Sequence, residues 1–204
     1  MLQSSFTNLI QIYSTGQQTT DKFWKEIHEH YTQKNRHYHN LNHLQNMLTE
    51  LEAVRHLIQD WDTTLFALFY HDFIYKATSK KNEEESAEIA EKKLQEINYA
   101  KQKIEQCIRM IWATKVHTIT GDNDTDLFTD ADLSILGASP EAYTRYAKQV
   151  RKEYSIYPDF LYNPGRKKVL QHFLNMPAIF KTPVFQQKYE TNARQNIAQE
   201  LATL

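Results

Sequence analysis

Residues 17–120 contain neither glycine nor proline, although the 204-residue chain has four glycines and five prolines elsewhere. These two residues form most tight turns, so a stretch of this length without them argues against a β-sandwich or β-barrel. Apolar residues instead recur at spacings of three and four, which is typical of amphipathic helices. No linker-like or low-complexity segment divides the chain. We therefore predict an all-α fold, a single helical bundle domain over residues 1–204.

Apolar periodicity and capping residues predict where the helices lie. The predicted helices cover residues 2–13, 20–31, 39–57, 65–75, 82–94 and 99–117, followed by a polar loop at 121–126 and a short helical segment at 129–136. Three later helices are predicted to begin where a capping side chain precedes proline, at Ser139-Pro140, Asn163-Pro164 and Thr182-Pro183. The helix at 65–75, with caps at Asp62 and Thr63, is apolar on nearly every face and is predicted to be central.

The charge balance narrows the class of partner. Lys plus Arg number 24 and Asp plus Glu 25, so no basic excess exists to bind a nucleic-acid polymer. No apolar run is long enough to span a membrane, and the first residues do not form a secretion signal. Cys107 is the single cysteine, which excludes an internal disulfide and a thiol-based zinc site. We expect a cytoplasmic protein, with its oligomeric state left open.

Nine histidines are present, and their positions differ in meaning. Four of them are predicted to be solvated or partly packed side chains without a role in a site: His28, His30, His56 and His172. His39 and His43 are four residues apart at the start of a predicted amphipathic helix. Because such residues share one helix face, the two imidazoles are expected to point into one cavity.

Two acidic positions lie among apolar residues. His71 and Asp72 fall within the most apolar predicted helix, and a buried carboxylate must be ion-paired, for example with Arg36, or bound to a metal. Asp130 and Asp132 lie in a second such segment, where Asp130 is expected to cap a neighbouring helix or support a ligand. Histidine and carboxylate ligands suit Zn, Mn, Fe, Co or Ni better than Ca.

The order His43, His71-Asp72, Asp132 resembles the H…HD…D pattern of the HD superfamily of metal-dependent phosphohydrolases, which are all-helical. More narrowly, the chain resembles a group of small bacterial proteins described as predicted phosphohydrolases of that superfamily. The matching runs are R-H-Y-H-N-x-x-H at 36–43, F-Y-H-D-F-I-Y at 69–75, N-E-E-E-S-A at 82–87, T-x-x-H at 114–117, D-A-D-L-x-x-L-G at 130–137, V-R-x-E-Y at 150–154, G-R at 165–166 and A-R-x-N at 193–196. The Y-H-N-x-x-H run is also similar to that of cyclic-nucleotide phosphodiesterases.

The resemblance implies an enzyme that hydrolyses a small-molecule phosphomonoester or phosphodiester, such as a nucleotide, with one divalent cation: Mn, Ni, Co, Zn, Fe or Mg. The implied metal ligands are His43, His71, Asp72 and Asp132. Asp72 would also activate water, while His39 would be the proton donor or, alternatively, a ligand. A second metal or the substrate would involve His117 and Glu83, and the implied phosphate-binding residues are Arg36, Arg151, Arg166 and Arg194. Two alternatives stay open: a non-catalytic nucleotide-binding module, and another reaction on the same platform, such as a hydratase, lyase or diiron oxygenase.

Overall fold

The computed structural model describes residues 2–14 and 16–204, and every regular element in this part of the chain is a helix, as predicted. The α-helices are α1 (Leu2–Tyr13), α2 (Gln17–Tyr31), α3 (Leu41–Ala53), α4 (Trp61–Tyr70), α5 (Asn82–Glu96), α6 (Lys101–Ala113), α7 (Asn123–Leu133), α8 (Pro140–Glu153), α9 (Asp159–Asn175) and α10 (Pro183–Thr203). Two 3₁₀ turns follow α3 and α7, at Arg55–Leu57 and Ser134–Gly137. Across the described ranges, no helix combines the length and the apolarity needed to cross a membrane.

Helix α4 lies at the centre of the bundle, as its apolar character predicts. All of its residues from Thr63 to Tyr70 are buried, and it contacts α1, α3, α5, α6 and α7. Phe69 meets Phe6 of α1 edge-to-face, with ring centroids 4.9 Å apart. Burial of an aromatic side chain of this size stabilises the fold by about 2 kcal/mol. The end of α4 is therefore fixed by packing, which positions the residues that follow it.

The start of α4 differs from the prediction. The capping residue is Asp60, whose carboxylate accepts hydrogen bonds from the Thr63 backbone N–H at 3.2 Å and the Thr63 hydroxyl at 2.8 Å. Asp62 and Thr63, the predicted caps, lie inside the first turn. Asp60 competes successfully for this role because its side chain can reach the free N–H groups of that turn.

The end of α4 also differs, because the helix stops at Tyr70 and not at residue 75. The carbonyl groups of Asp72 and Phe73 accept hydrogen bonds from the buried Arg36 guanidinium, at 2.6 and 2.7 Å. These contacts hold residues 72–73 in a non-helical conformation, so the helix does not continue. As a result, His71 and Asp72 lie just beyond the helix that was predicted to contain them.

The predicted polar loop at 121–126 is wrong, because α7 begins within it. Asp122 caps this helix by accepting a hydrogen bond from the Thr125 N–H at 3.0 Å, and acidic residues favour the positive N-terminal end. The predicted segment 129–136 is the end of α7 together with the 3₁₀ turn. The helices predicted at 39–57 and 99–117 are also several residues too long at their ends.

Two of the three proline-marked helix starts are correct, at Pro140 and Pro183. The third is wrong: α9 begins at Asp159, and Pro164 lies inside it. Proline removes the hydrogen bond to the carbonyl four residues earlier, which here belongs to Phe160. Since Phe160 is exposed, solvent can reach that carbonyl, and the helix tolerates the proline.

Asp130 joins α7 to the start of α10. Its buried carboxylate accepts hydrogen bonds from the backbone N–H groups of Lys181 and Thr182, at 2.9 and 2.8 Å, and from the Thr182 hydroxyl at 2.7 Å. Asp130 was expected to be a cap or a supporting partner and not a ligand; it holds the two residues just before α10 and is not part of the buried group of candidate ligands. Because Asp132 is two residues further along α7, this contact helps to fix its position.

The 3₁₀ turn after α7 also packs closely against α10. A Cβ atom at Gly137 would lie 2.6 Å from the carbonyl oxygen of Tyr189, so only glycine permits this approach. Asn196 donates hydrogen bonds to the carbonyl groups of Leu136 and Ala138, both at 2.9 Å. The C-terminal helix therefore anchors the segment that follows Asp132.

Candidate metal centre

Two histidines and the last aspartate of the predicted H…HD…D pattern lie together at one buried position. The Nε2 atom of His43 lies 3.2 Å from Nε2 of His71 and 3.2 Å from Oδ1 of Asp132. The distance from His71 Nε2 to the same Asp132 oxygen is 3.9 Å. Both imidazoles are almost fully buried. These three side chains form a group that could hold a metal ion.

The donor set fits a divalent cation that accepts nitrogen and oxygen ligands. His71 Nδ1 lies 2.9 Å from the Leu68 carbonyl, which can only accept, so Nδ1 carries a proton and the Nε2 lone pair is free in the neutral ring. Two ring nitrogens that face each other at 3.2 Å need a shared proton or a cation between them. Two imidazoles and a carboxylate suit Zn, Mn, Fe, Co or Ni.

Asp72 is the fourth predicted ligand and lies directly beside this group. Its Oδ2 atom is 3.1 Å from His71 Nε2 and 3.7 Å from His43 Nε2. Unlike the histidines, Asp72 also lines an open cavity. It is therefore placed between the buried donors and any molecule that enters the cavity.

The charges of the neighbouring carboxylates favour the protonated form of His71. Burial alone lowers the pKa of His71, but Asp72 and Asp132 outweigh it and raise that pKa to about 9. Burial raises the pKa of Asp72, but the His71 and His39 rings reverse this and hold it well below its usual range. Two ionised carboxylates thus surround the imidazoles, an environment that favours a cation.

His117, a predicted candidate for a second metal or for the substrate, contacts the other oxygen of Asp132, with Nε2 to Oδ2 at 2.9 Å. Its φ of 52° lies in the left-handed region, which costs a residue with a side chain about 1–2 kcal/mol. Burial lowers the pKa of His117 despite the Asp132 contact. Glu83, the other candidate, lines the cavity with its carboxylate 3.8 Å from the Lys115 ammonium.

His39 lies before α3 and not on its face, because Asn40 is the capping residue of that helix. The rings of His39 and His43 are nevertheless 5.8 Å apart, so the two side chains do converge. His39 lines the cavity and is 22% exposed, which leaves it accessible to a substrate. The charge of Asp72 raises the pKa of His39, which is not one of the three residues of the buried ligand group.

Glu153 of α8 lies within the V-R-x-E-Y run, but the sequence reasoning gave it no role at the candidate site. Its fully buried carboxylate accepts hydrogen bonds from His39 Nδ1 at 2.7 Å and from the Tyr38 and His39 backbone N–H groups at 2.7 and 3.0 Å. The Tyr75 hydroxyl donates to it at 2.9 Å. Burial lowers the pKa of His39, but Asp72 and Glu153 outweigh it and raise that pKa overall. A signal was present, since Glu153 shares the buried helix face of Val150.

The four predicted phosphate-binding arginines lie in different surroundings. Arg36 is buried and donates to the carbonyl groups of His39, Asp72 and Phe73, which ties together the two segments that carry the candidate ligands. Arg151 pairs with Asp159 at 2.7 Å, and Arg194 donates to carbonyl groups at the end of α9. Of the four, the one that lines the cavity beside the metal group is Arg166.

Comparison with protein-family models, with curated proteins and with solved structures finds no match for this chain. The resemblance noted in the sequence therefore stays a prediction.

Proposed function

We propose that this protein is a metal-dependent phosphohydrolase. The observation that carries the proposal is that two buried imidazole nitrogens and a carboxylate oxygen lie 3.2–3.9 Å from one another. An open cavity of about 590 Å³ lies next to them. A divalent cation held by His43, His71 and Asp132, with Asp72 beside them, would supply Lewis acidity to a phosphate oxygen and lower the pKa of a bound water. The proposed substrate is a small-molecule phosphate ester in the cytoplasm.

The chain's own residues supply the proton transfers. Asp72, exposed to the cavity, would accept a proton from the attacking water as its oxygen forms a bond to phosphorus. His39, protonated and held by Glu153, would donate its proton to the ester oxygen as the phosphorus–oxygen bond breaks. A monoester would give an alcohol and inorganic phosphate, and a diester would give an alcohol and a phosphomonoester. A donor with a raised pKa is suited to this role because it stays protonated near neutral pH.

The hydrogen bond between His39 and Glu153 favours an enzyme over a binding module. A protein that only binds a nucleotide has no need of a proton donor beside the metal group. Here a buried glutamate orients His39 in the way that a carboxylate orients the histidine of a catalytic triad. We therefore place the enzyme ahead of the regulatory module.

One observation favours a second candidate, a two-metal oxygenase. Asp132 has one oxygen near His43 and the other near His117, so Asp132 and His117 would help to hold a second ion. Iron at two equivalents per chain, with a visible absorption band, would support this candidate. One equivalent and no such band would count against it.

The test is release of 4-nitrophenol from 4-nitrophenyl phosphate and bis(4-nitrophenyl) phosphate, with and without Mn²⁺ after treatment with a chelator. We expect hydrolysis to require the metal and to be lost in His71→Ala together with metal binding. His39→Gln should keep the metal and lose kcat by about 10²–10⁴-fold, the usual contribution of a proton donor. His28→Gln, at an exposed position on α2, is the matched control and should behave as the parent. Metal-independent hydrolysis, or full activity of His39→Gln, would contradict the proposal.

A further inference from the structure

The charge of the cavity limits which ligands can join the metal group. Its charged lining residues, histidines aside and within the described ranges, are Asp72, Glu83, Asp132, Lys115 and Arg166. Arg166 is engaged by both oxygens of Glu200, at 2.7 and 2.9 Å. Lys115 contacts Glu83 and Glu84 and also donates to the Lys80 carbonyl. Both cations are thus neutralised by carboxylates, so a second or third phosphate group would find no free positive charge in this lining.

The outer wall of the cavity is apolar along one face of α9. Leu161, Gly165, Val169 and Phe173 recur every four residues and all line the cavity; we call these four residues the α9 stripe. Leu161 is 55% exposed and Val169 46%, although a helix normally packs its apolar face against the core. A Cβ atom added at Gly165 would have no heavy atom within 4 Å, which leaves space along the stripe. An apolar surface therefore leads outward from the metal group.

We propose, on the basis of the proposed function, that the substrate is an ester with a single phosphoryl group and an apolar alcohol portion that lies on the α9 stripe. The phosphoryl group would occupy the inner end, near Asp72 and His39. Water adds to phosphorus, the ester bond breaks, and the apolar alcohol leaves with the proton from His39. Sugar phosphates lack the apolar group, and nucleoside di- and triphosphates carry charge that the lining does not compensate.

The test compares methyl, butyl and hexyl phosphate, with glucose 6-phosphate and ADP as competing classes and 4-nitrophenyl phosphate as the reference ester. For the parent, kcat/KM should rise along the alkyl series by about two- to fourfold per buried methylene. Val169→Asn should reduce kcat/KM for hexyl phosphate by about tenfold relative to that for methyl phosphate. Ile12→Asn is the matched control, since Ile12 is 65% exposed on α1, outside this cavity, and should leave the series unchanged.

Binding provides a measurement that does not depend on turnover. The parent should bind hexylphosphonate more tightly than methylphosphonate, and Val169→Asn should abolish most of that difference. Hydrolysis with a flat alkyl series, or with a preference for glucose 6-phosphate or ADP, would overturn this inference and leave the proposed function standing. If no ester, the reference included, is hydrolysed with metal bound, both are overturned.

Discussion

Replacement of Glu153 by glutamine tests how the proposed proton donor is held. The substitution keeps the shape of the side chain and removes the charge that His39 Nδ1 contacts at 2.7 Å. A hydrogen bond to a charged group contributes about 1.5–3 kcal/mol, and one pKa unit corresponds to about 1.4 kcal/mol. The pKa of His39, which Asp72 and Glu153 raise, should therefore fall in Glu153→Gln, because one of the two carboxylates that stabilise the protonated ring loses its charge.

The effect on rate follows from the sign of that change. The donor is active when protonated, so a lower pKa reduces its protonated fraction at neutral pH and moves the descending limb of the pH–rate profile to lower pH. We expect kcat at pH 8 to fall by about 10–100-fold. At lower pH, where a larger fraction of His39 is protonated in the variant, the loss should be smaller.

The assay is a pH–rate profile for parent and variant, with metal content measured on the same samples. Tyr75→Phe is the matched control, because it removes one hydrogen bond to the same carboxylate and keeps the charge. Its profile should move by less than that of Glu153→Gln. An unchanged descending limb in Glu153→Gln, with metal content and fold intact, would refute the assignment of His39 as a donor held by Glu153.

Three further predictions concern stability and metal binding. Gly137→Ala should lower the unfolding free energy by about 2 kcal/mol and the Tm by several degrees, because its Cβ would overlap the backbone of α10. Gly165→Ala is the control, since its Cβ would lie in open space and should not destabilise the protein. Equal Tm values for the two variants would contradict this prediction. Metal affinity should rise about tenfold per pH unit up to about pH 9, because the cation displaces the proton of His71. Calorimetry in buffers of different ionisation enthalpy should detect the released proton. A Kd that does not change with pH would contradict this prediction. Arg166→Gln should lower the unfolding free energy, measured by chemical denaturation, by on the order of 3 kcal/mol, since it leaves Glu200 with no cation. A raised KM with unchanged stability would instead assign Arg166 to binding of the phosphate.

The fold was predictable because the relevant signals are local. The absence of glycine and proline over residues 17–120 and the uniformly apolar segment that became α4 both report on secondary structure directly. The error at α7 has a physical reason: its first turn is as polar as a loop, and its aspartates are caps and not linker residues. A polar run before an apolar segment is compatible with either structure until capping is considered.

The site was predictable in part. The order of His43, His71 and Asp132 along the chain anticipates the group that the fold assembles. The arginines were not separable by sequence, because their roles depend on whether a carboxylate or a carbonyl lies opposite each one. Glu153 was missed for a related reason: its partner His39 is 114 residues away, and only the tertiary structure brings them together.

The most direct test of the account is the metal content of the purified protein, by elemental analysis, for the parent and for His71→Ala. The account predicts a divalent transition metal bound to the parent near one equivalent per chain, and its loss in His71→Ala with the helical circular-dichroism spectrum retained. A parent that binds no such metal after incubation with Mn²⁺, Zn²⁺ or Ni²⁺, or a folded His71→Ala that binds as much as the parent, would contradict it.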